Sequence, residues 1–400
     1  MTALDTAPLN VDVAYGLCDA DQHYYEALDA LTRHLDPKFR SAVKWVDIEG
    51  RKTLLINQKL VTVIPNPTYD PVGVPGSLEQ YFRAANQAGR EIRDIISMQS
   101  IQPEYRDRDE RIKRLDAQGV DFAWLLPSLA LGLEEILSDD PDVLYPIFTA
   151  HNDWLDEDWG FNRDGRLQTG PLISLVDPVR AEAETKRVLE MGARFLTFRP
   201  APTQAITKYR SIADPLHDRV FAMIAEANAV VTIHAADSGY GLMLERWGEA
   251  SKFAGFKSSP LTEVMSIHIE RPIFDTMAAM ICHGLFDRHP NLRVASLELG
   301  AAWVPELLRR LRVTYGKTPQ LFAQDPVESF REHVWVAPFY EDNIAPLVDA
   351  IGADRVLLGS DWPHPEGLST PRHWIADFAS LSEDDLRKVL RDNLRGLAGL

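Results

Sequence analysis

The chain has 400 residues, of which 45% are hydrophobic and 25% are charged, an ordinary composition for a globular protein with a sizeable core. Its 59 acidic and 42 basic residues give a formal net charge of -17, which disfavours nonspecific binding to nucleic acid or to an anionic membrane surface. The sequence contains neither an apolar run long enough to span a membrane nor the pattern of a signal peptide, so we expect a cytoplasmic protein.

Apolar segments that end in polar residues, Gly or Pro recur along the chain, and the stretches between them have the apolar periodicity of helices. This alternation predicts an α/β fold with parallel strands. Eight such strands predict a closed (β/α)8 TIM barrel formed by a single domain, residues 1–400. The predicted strands are residues 15–20, 122–127, 171–176, 195–199, 230–234, 292–298, 334–337 and 356–359.

Three further segments stand outside this alternation. Residues 24–104 are too many for one connection between a strand and a helix, so we predict a long insertion after strand 1, containing a hairpin and a Pro/Gly-rich loop beside the active-site mouth. Residues 235–270 form a second long connection, which predicts a lid. Ser382 and Asp385 have the spacing of a capping box and predict a C-terminal accessory helix.

Asp21 and His23 stand two residues apart just after the first predicted strand. Extended backbone points both side chains to the same side, which suits two ligands of one metal ion. Taken alone, the pair is weak evidence for a metal site, because solvent-facing residues often have the same spacing.

Three other predicted strands end in residues of the same kind. His234 follows the fifth strand, Glu298 closes the sixth and Asp361 follows the eighth. Taken singly, His234 could be a hydrogen-bonded core histidine and Glu298 a carboxylate paired with Arg. Because only barrel closure brings these strand ends together, the joint pattern favours a divalent metal site. Carboxylate and imidazole ligands without thiolate suit Zn, Mn or Fe.

Other side chains are candidates for catalysis or substrate binding. His364 lies three residues past Asp361 and could donate to the substrate, hold a second ion or cap the loop; we predict it to be catalytic. Arg199 ends an apolar run, where its guanidinium could grip a substrate carboxylate or form a structural ion pair. Aromatic residues near the strand ends could line a pocket. The predicted substrate-binding residues are Tyr24, Arg199, His268 and Trp362.

Three segments carry a family resemblance: VVTIHA at the fifth strand, FDRHPNLRVASLELGAAWVPELLRRL around the sixth and LLGSDWPHPEG at the last. They resemble the amidohydrolase superfamily, in particular the group with aminocarboxymuconate semialdehyde and resorcylate-type decarboxylases. The resemblance covers nearly the whole chain. It implies that His234 and Asp361 are metal ligands and that Glu298 has a catalytic or ligating role.

Two positions depart from the family pattern. Most members carry His-x-His on the first strand, whereas this chain has Asp21 and His23, and the acidic ligand favours Mn or Fe over Zn. Decarboxylase relatives often carry His where Glu298 stands. Because a carboxylate is a poor proton donor at neutral pH unless its pKa is raised, the decarboxylase analogy is weaker at this position.

The sequence therefore predicts a metal-dependent hydrolase or non-oxidative decarboxylase of a small substrate that is carboxylated or aromatic. One or two divalent ions (Mn, Fe or Zn) would be held by Asp21, His23, His234 and Asp361, with Glu298 as general base or additional ligand; Asp361 or Glu298 would accept the proton of water in hydrolysis. Two alternatives stay open: a dinuclear non-haem Fe or Mn oxygenase, and a non-catalytic partner subunit. We expect a homo-oligomer, and a hetero-oligomer is also compatible.

Overall fold

Parallel strands and the helices between them form an α/β fold. The computed structural model describes residues 13–83, 89–205, 208–249 and 259–400. Its strands are β1 (Leu17–Tyr24), β2 (Val43–Ile48), β3 (Arg51–Ile56), β4 (Lys59–Leu60), β5 (Val72–Gly73), β6 (Met98–Gln99), β7 (Val120–Pro127), β8 (Leu167–Thr169), β9 (Phe195–Phe198), β10 (Thr203–Ala205), β11 (Lys208–Arg210), β12 (Val230–His234), β13 (Arg293–Leu297) and β14 (Val334–Val336).

Helices occupy most of the connections. The α-helices are α1 (Glu79–Phe82), α2 (Ile92–Ile95), α3 (Arg108–Gln118), α4 (Leu133–Leu137), α5 (Pro141–Asp158), α6 (Pro178–Glu190), α7 (Asp218–Glu226), α8 (Gly241–Glu245), α9 (Pro260–Met265), α10 (Glu270–Cys282), α11 (Leu285–Arg288), α12 (Trp303–Lys317), α13 (Pro326–His333), α14 (Ile344–Ile351), α15 (Glu383–Arg387) and α16 (Asn393–Ala398). None of the helices in the described ranges is both long and apolar enough to cross a membrane.

Two parallel sheets lie at the centre. One contains β1, β7 and β8, and the other contains β14, β13, β12 and β9 in that order. All residues of β1 and of β12 are buried, as expected for strands that are covered on both faces. A parallel bridge between Leu172 and Thr197 links the two sheets on one side.

Residues 356–361 connect the sheets on the other side without forming a regular strand. Val356 pairs in parallel with Val336 of β14, and the carbonyl of Leu358 accepts a 2.8 Å hydrogen bond from Ala20 of β1. The N–H of Leu358 instead donates to Val389, in the π-helical turn Lys388–Asp392 between α15 and α16. The C-terminal helices therefore take up a donor that a regular strand would use in its ladder.

The predicted strands agree with the structure in most positions. Five of them, at 122–127, 195–199, 230–234, 292–298 and 334–337, coincide with β7, β9, β12, β13 and β14. The third prediction, at 171–176, is confirmed only in part, because the regular strand β8 lies earlier and the predicted segment pairs with β9 through one parallel bridge, between Leu172 and Thr197. The first strand runs on to Tyr24, so Asp21 and His23 lie within β1 rather than after it.

The long connection after β1 contains the predicted hairpin, because β3 and β4 pair antiparallel with Ile56 opposite Lys59. Its later part lies against the loop that follows residue 361: Leu78 donates a 2.9 Å backbone hydrogen bond to Pro365. The predicted C-terminal helix is confirmed with Ser382 as its N-cap, since the Ser382 hydroxyl accepts from the Asp385 N–H at 3.2 Å at the start of α15; the Asp385 carboxylate accepts from the Ser382 hydroxyl at 2.9 Å. Of the predicted lid, residues 250–258 lie outside the described residues.

Gly359 lies where β1 packs closely against residues 356–361. An added Cβ would lie 2.9 Å from the Asp21 Cβ and 3.1 Å from the Ala337 Cβ. We expect Gly359→Ala to lower the free energy of unfolding by about 1–3 kcal/mol, because core overpacking forces neighbours to move. Urea denaturation measures this. Gly316→Ala on α12 is the control, since a methyl there meets no described atom within 4 Å and should stabilise by about 0.5–1 kcal/mol. Equal stability of the two variants would contradict the packing argument.

Candidate metal centre

Five predicted residues meet at the carboxyl ends of the parallel strands. The His23 Nε2 lies 3.3 Å from the Asp21 Oδ1, 3.3 Å from the Asp361 Oδ1 and 3.6 Å from the Glu298 Oε2. The His234 Nε2 lies 3.0 Å from the Glu298 Oε2 and 3.5 Å from the Asp21 Oδ1. Because parallel strands end at one edge, residues far apart in sequence form one cluster, which we call the strand-end cluster.

Hydrogen bonds fix the orientation of both imidazoles. The His23 Nδ1 lies 3.2 Å from the Pro127 carbonyl, and the His234 Nδ1 lies 3.0 Å from the Ala235 carbonyl. A carbonyl only accepts, so each Nδ1 carries a proton and each Nε2 faces the cluster. This is the arrangement that metal-ligating histidines adopt. The Nε2 of neutral His23 presents a lone pair. Burial disfavours the charged form of His234, but Glu298 and Asp21 outweigh it and raise the pKa of His234 well above its usual range, so a bound ion would replace the proton on its Nε2.

Three buried polar atoms of the cluster have no hydrogen-bond partner among the described residues: Asp21 Oδ1, His23 Nε2 and His234 Nε2. Burying an unpaired polar atom is costly, so such atoms usually have a bound ion or ligand to satisfy them. The donor atoms that these three residues offer lie within 4.8 Å of one another. Two imidazoles and a carboxylate therefore fit a divalent transition metal.

The backbone at two carboxylates is unusual. Glu298 has φ of 52° and Asp361 has φ of 57°, the left-handed region that disfavours residues with a side chain. Such a conformation costs about 1–3 kcal/mol and persists where the surroundings enforce it, often at functional sites. Here it turns the chain directly after β13 and after residue 360, with both carboxylates in the strand-end cluster.

The buried charges shift one another's pKa values in opposite directions. Burial raises the pKa of Asp361 well above its usual range, and the charges of Glu298 and Glu366 add to this. Burial also opposes the charge of Asp21, but the adjacent His23 and His234 outweigh it and hold the pKa of Asp21 well below its usual range. Burial lowers the pKa of His23 to about 4, so this imidazole is neutral at neutral pH.

His364 joins the cluster through Asp361. Its Nδ1 lies 2.6 Å from the Asp361 Oδ1, its ring centroid lies 4.0 Å from that of His23, and its Nε2 lies 2.9 Å from the Ser128 hydroxyl. Glu366 also offers a carboxylate oxygen to this part of the cluster. Sequence reasoning missed Ser128 and Glu366. The alternation His-x-Glu after Asp361 was the available signal for Glu366.

Asp19 connects the two segments that carry Asp21 and Asp361. Its carboxylate accepts from the Ser360 N–H at 2.9 Å, the Ser360 hydroxyl at 2.6 Å, the Asp21 N–H at 3.2 Å and the Gln22 side chain at 2.9 Å. Burial raises the pKa of Asp19 to about 6, although these hydrogen bonds oppose the increase. Asp19 therefore fixes the backbone beside two residues of the cluster rather than contributing an oxygen to it.

Arg111 on α3 holds the backbone of β1 beside the strand-end cluster. Sequence reasoning missed this residue. Its guanidinium is fully buried and donates to the His23 carbonyl at 2.6 Å and to the Glu104 carbonyl at 2.8 Å. It also stacks on the Trp362 ring, 4.5 Å from the centroid. Burial lowers the pKa of Arg111 to about 9, so the group stays charged at neutral pH. Arg111 thus joins β1 to the residue next to Asp361.

Two predicted substrate-binding aromatics lie in hydrophobic packing. The Tyr24 ring packs 5.6 Å from that of Trp154 and its hydroxyl lies 3.5 Å from the His151 Nε2. Trp362 packs against Arg111 and 5.4 Å from the Tyr105 ring. Both side chains are buried, and these contacts give them a packing role rather than support for substrate binding.

The other two predicted substrate-binding residues have different surroundings. The Arg199 guanidinium contacts the carboxylates of Glu134, at 3.5 Å, and of Glu135, and donates to the Asp237 carbonyl at 3.0 Å. This is the structural ion pair that the sequence left open. His268 is half-buried between α9 and α10, and burial lowers its pKa. A role for His268 in substrate binding stays a prediction.

Comparison with known proteins identifies the family. The sequence model of the Amidohydrolase family matches residues 18–395, so the chain belongs to this family. The resemblance seen in the sequence is thereby confirmed. An amidohydrolase from Mycobacterium avium subsp. paratuberculosis K-10 is 42% identical; the alignment covers 97% of this chain and 100% of that one, with a TM-score of 0.91.

Two further relatives are decarboxylases. The gamma-resorcylate decarboxylase of Rhodococcus jostii (strain RHA1) is 31% identical over 121 residues, which are 28% of this chain and 36% of that protein. The match thus spans about a third of that relative. A dihydroxybenzoic acid decarboxylase from Polaromonas sp. JS666, with bound manganese and the inhibitor 2-nitroresorcinol, has a TM-score of 0.60 at 15% identity, covering 96% of this chain and 97% of that one. At this identity the likeness concerns the fold.

Arg111→Met tests whether the buried guanidinium positions His23. The variant leaves the carbonyls of His23 and Glu104 without their donor, so we expect the free energy of unfolding to fall by about 2–4 kcal/mol. We also expect Mn²⁺ affinity to fall about tenfold, the usual loss when a group that orients a ligand is removed. Denaturation and calorimetric titration measure the two effects. Lys113→Met, at an exposed position of the same helix, is the control, and equal Mn²⁺ affinity in both variants would refute the positioning role.

Proposed function

We propose that this chain is a metal-dependent enzyme that decarboxylates a small aromatic carboxylic acid without an oxidant. The observation that carries the proposal is the set of buried, unpaired donor atoms on Asp21, His23 and His234 beside the carboxylates Glu298 and Asp361. Family membership and the two decarboxylase relatives support it. The reaction replaces a carboxylate on a ring carbon by a proton and releases CO2.

The fold proposed for this site is a closed (β/α)8 barrel in a single domain, residues 1–400, with the connection after β1 as an insertion at its mouth. The links through residues 172 and 197 and through residues 356–361 support closure, because they join the edges of the two parallel sheets. Active sites of such barrels lie at the carboxyl ends of the strands, where the strand-end cluster is found.

We assign the ligand positions to Asp21, His23, His234 and Asp361, and prefer Mn or Fe over Zn because half of these ligands are carboxylates. When bound, a divalent ion supplies a positive charge that orients the substrate carboxylate and stabilises negative charge developing on its neighbouring oxygen. The protein contributes fixed geometry: Arg111 and Asp19 hold β1 and residues 360–362 in place. A homo-oligomer remains our expectation.

Glu298 is the proposed proton carrier. Burial raises the pKa of Glu298, but the adjacent His234, whose own pKa is raised well above its usual range, outweighs it and holds the pKa of Glu298 below its usual range. Glu298 is therefore ionised at neutral pH, and its Oε2 accepts a proton from a substrate hydroxyl. A carboxylic acid of low pKa is a strong donor once it is protonated. Glu298 then returns this proton to the ring carbon as the bond to CO2 breaks, and solvent restores the hydroxyl proton. The reaction consumes one proton overall.

Hydrolysis is a second candidate, favoured by one observation. Glu298 is an ionised carboxylate where decarboxylase relatives often carry His, and such a group accepts the proton of an attacking water. The residues that hold the ion would be the same. The oxygenase alternative receives no support from the relatives found, and a non-catalytic partner subunit would not require a cluster of buried, unpaired ligand atoms.

Reconstitution tests the proposed function. Protein stripped of metal should decarboxylate hydroxybenzoates after addition of Mn²⁺ or Fe²⁺, under anaerobic conditions, with release of CO2 and uptake of one proton per turnover. His234→Ala should bind little metal and lose activity, while circular dichroism shows a folded protein. Highest activity with Zn²⁺ would refute the metal preference. Turnover of esters or amides without any CO2 release would establish hydrolysis instead.

The variant Glu298→Gln distinguishes two roles of Glu298, as proton carrier and as metal ligand. The amide keeps the shape of the side chain but accepts no proton, so we expect kcat to fall at least about 100-fold, with metal content and KM close to those of the parent. Loss of the metal in this variant would show that Glu298 is a ligand. An unchanged kcat would exclude Glu298 from the chemistry.

A further inference from the structure

A second group of ligand-type atoms adjoins the proposed metal site. Glu298, Asp361, His364 and Glu366 each offer one such atom, and these atoms all lie within 4.8 Å of one another. Three of the residues follow each other as Asp-x-x-His-x-Glu in one loop. His364 and Glu366 have no part in the ligand set assigned above, so their presence requires a separate explanation.

Hydrogen bonds indicate which nitrogen of His364 is free. The Ser128 hydroxyl donates its only proton to the Tyr24 carbonyl at 2.9 Å, so at 2.9 Å from the His364 Nε2 it accepts. The proton of a neutral His364 is therefore on Nε2, and Nδ1 presents a lone pair to the Asp361 Oδ1 at 2.6 Å. An ionised carboxylate facing that lone pair needs a proton or a cation between them.

Glu366 supplies a second, independent sign of an absent partner. Its Oε2 is buried and has no hydrogen-bond partner among the described residues. The backbone at this residue is held, because the Tyr340 hydroxyl donates to the Glu366 carbonyl at 2.8 Å. The loop that carries His364 is also fixed, because the Leu78 N–H donates a 2.9 Å hydrogen bond to the Pro365 carbonyl. The unpaired carboxylate oxygen thus lies on a fixed backbone.

The charge balance of the site points the same way. The site contains the carboxylates of Asp21, Glu298, Asp361 and Glu366, and in the described part of the chain none of them forms an ion pair with Lys or Arg. One divalent ion offsets the charge of two ionised carboxylates, whereas two such ions offset the charge of all four. With both ions bound, these carboxylates do not repel a carboxylate substrate.

We propose that Asp361, His364 and Glu366 hold a second divalent cation next to the first, with the Glu298 carboxylate beside it as the proton carrier. Asp361 lies in both groups and is the shared ligand. Oxygen-rich ligation of this kind suits Mn²⁺. The inference rests on the proposed function for its first ion, and the second cation makes the site neutral enough to admit an anionic substrate.

Titration of the metal-free full-length protein with Mn²⁺ tests the proposal. We expect two ions per chain by calorimetry and equilibrium dialysis. Because two Mn²⁺ ions that share a carboxylate are magnetically coupled, the electron paramagnetic resonance spectrum should change from an isolated-ion signal to a coupled one as the second ion binds. Glu366→Gln should keep the first ion and weaken the second at least about tenfold, with loss of the coupled signal.

Two further variants make the test specific. His364→Gln should behave like Glu366→Gln, whereas Glu341→Gln, which removes a carboxylate from a neighbouring loop outside the cluster, should keep both ions and the coupled signal. A single ion in the parent protein, or two coupled ions in Glu366→Gln, would overturn the second site and leave the proposed function standing. Absence of any tightly bound Mn²⁺ in the parent would overturn both.

Discussion

Several carboxylates buried together require positive charge, and this requirement organises the structure around the strand ends. Asp21 and His23 are almost completely buried within β1, and His234, the last residue of β12, is equally buried. Moving charged groups out of water is costly unless opposite charge or hydrogen bonds compensate. The neighbouring imidazoles and carboxylates shift one another's pKa values but leave three ligand atoms unpaired. A divalent cation bound between them would satisfy all three.

The surrounding structure fixes these groups through the backbone more than through their side chains. The Asp19 carboxylate accepts hydrogen bonds from both the N–H and the hydroxyl of Ser360, and Arg111 donates to the carbonyl of His23. The left-handed backbone at Asp361 is held by a 2.8 Å hydrogen bond from its N–H to the Asp21 carbonyl. A metal site with its ligands held in advance loses little conformational entropy when the ion binds, which raises affinity without additional ligands.

Much of this site follows from local sequence patterns, because a short apolar run that ends in His, Asp or Glu marks a strand end by itself. His234, Glu298 and Asp361 were located in this way. The alternation of side chains along a strand also shows that Tyr24 lies opposite His23, and the structure places it in the core. Arg111 had a signal too, since it shares the buried face of α3 with Leu115 and Gln118 at helical spacing.

What the sequence could not show depends on contacts between distant segments. Arg199 has its carboxylate partners on α4, more than sixty positions earlier, and nothing in its local sequence distinguishes an ion pair from a substrate contact. Glu366 lies in a loop whose shape depends on Tyr340 and on the connection after β1, so the His-x-Glu spacing alone could not show that its carboxylate lies beside Asp361. Strand 3 was confirmed only in part because the apolar run after Pro171 resembles a strand but bonds through only a single bridge.

A metal ion in the strand-end cluster can be located directly by crystallography. Crystals grown with Mn²⁺ and measured on both sides of the manganese absorption edge give the most direct test of this metal centre, because the anomalous difference map locates the ion without assumptions about activity. We expect a strong peak in contact with the Asp21 Oδ1, the His23 Nε2 and the His234 Nε2. A map with no peak at these three atoms, while the same crystals show manganese elsewhere on the protein, would contradict the metal centre.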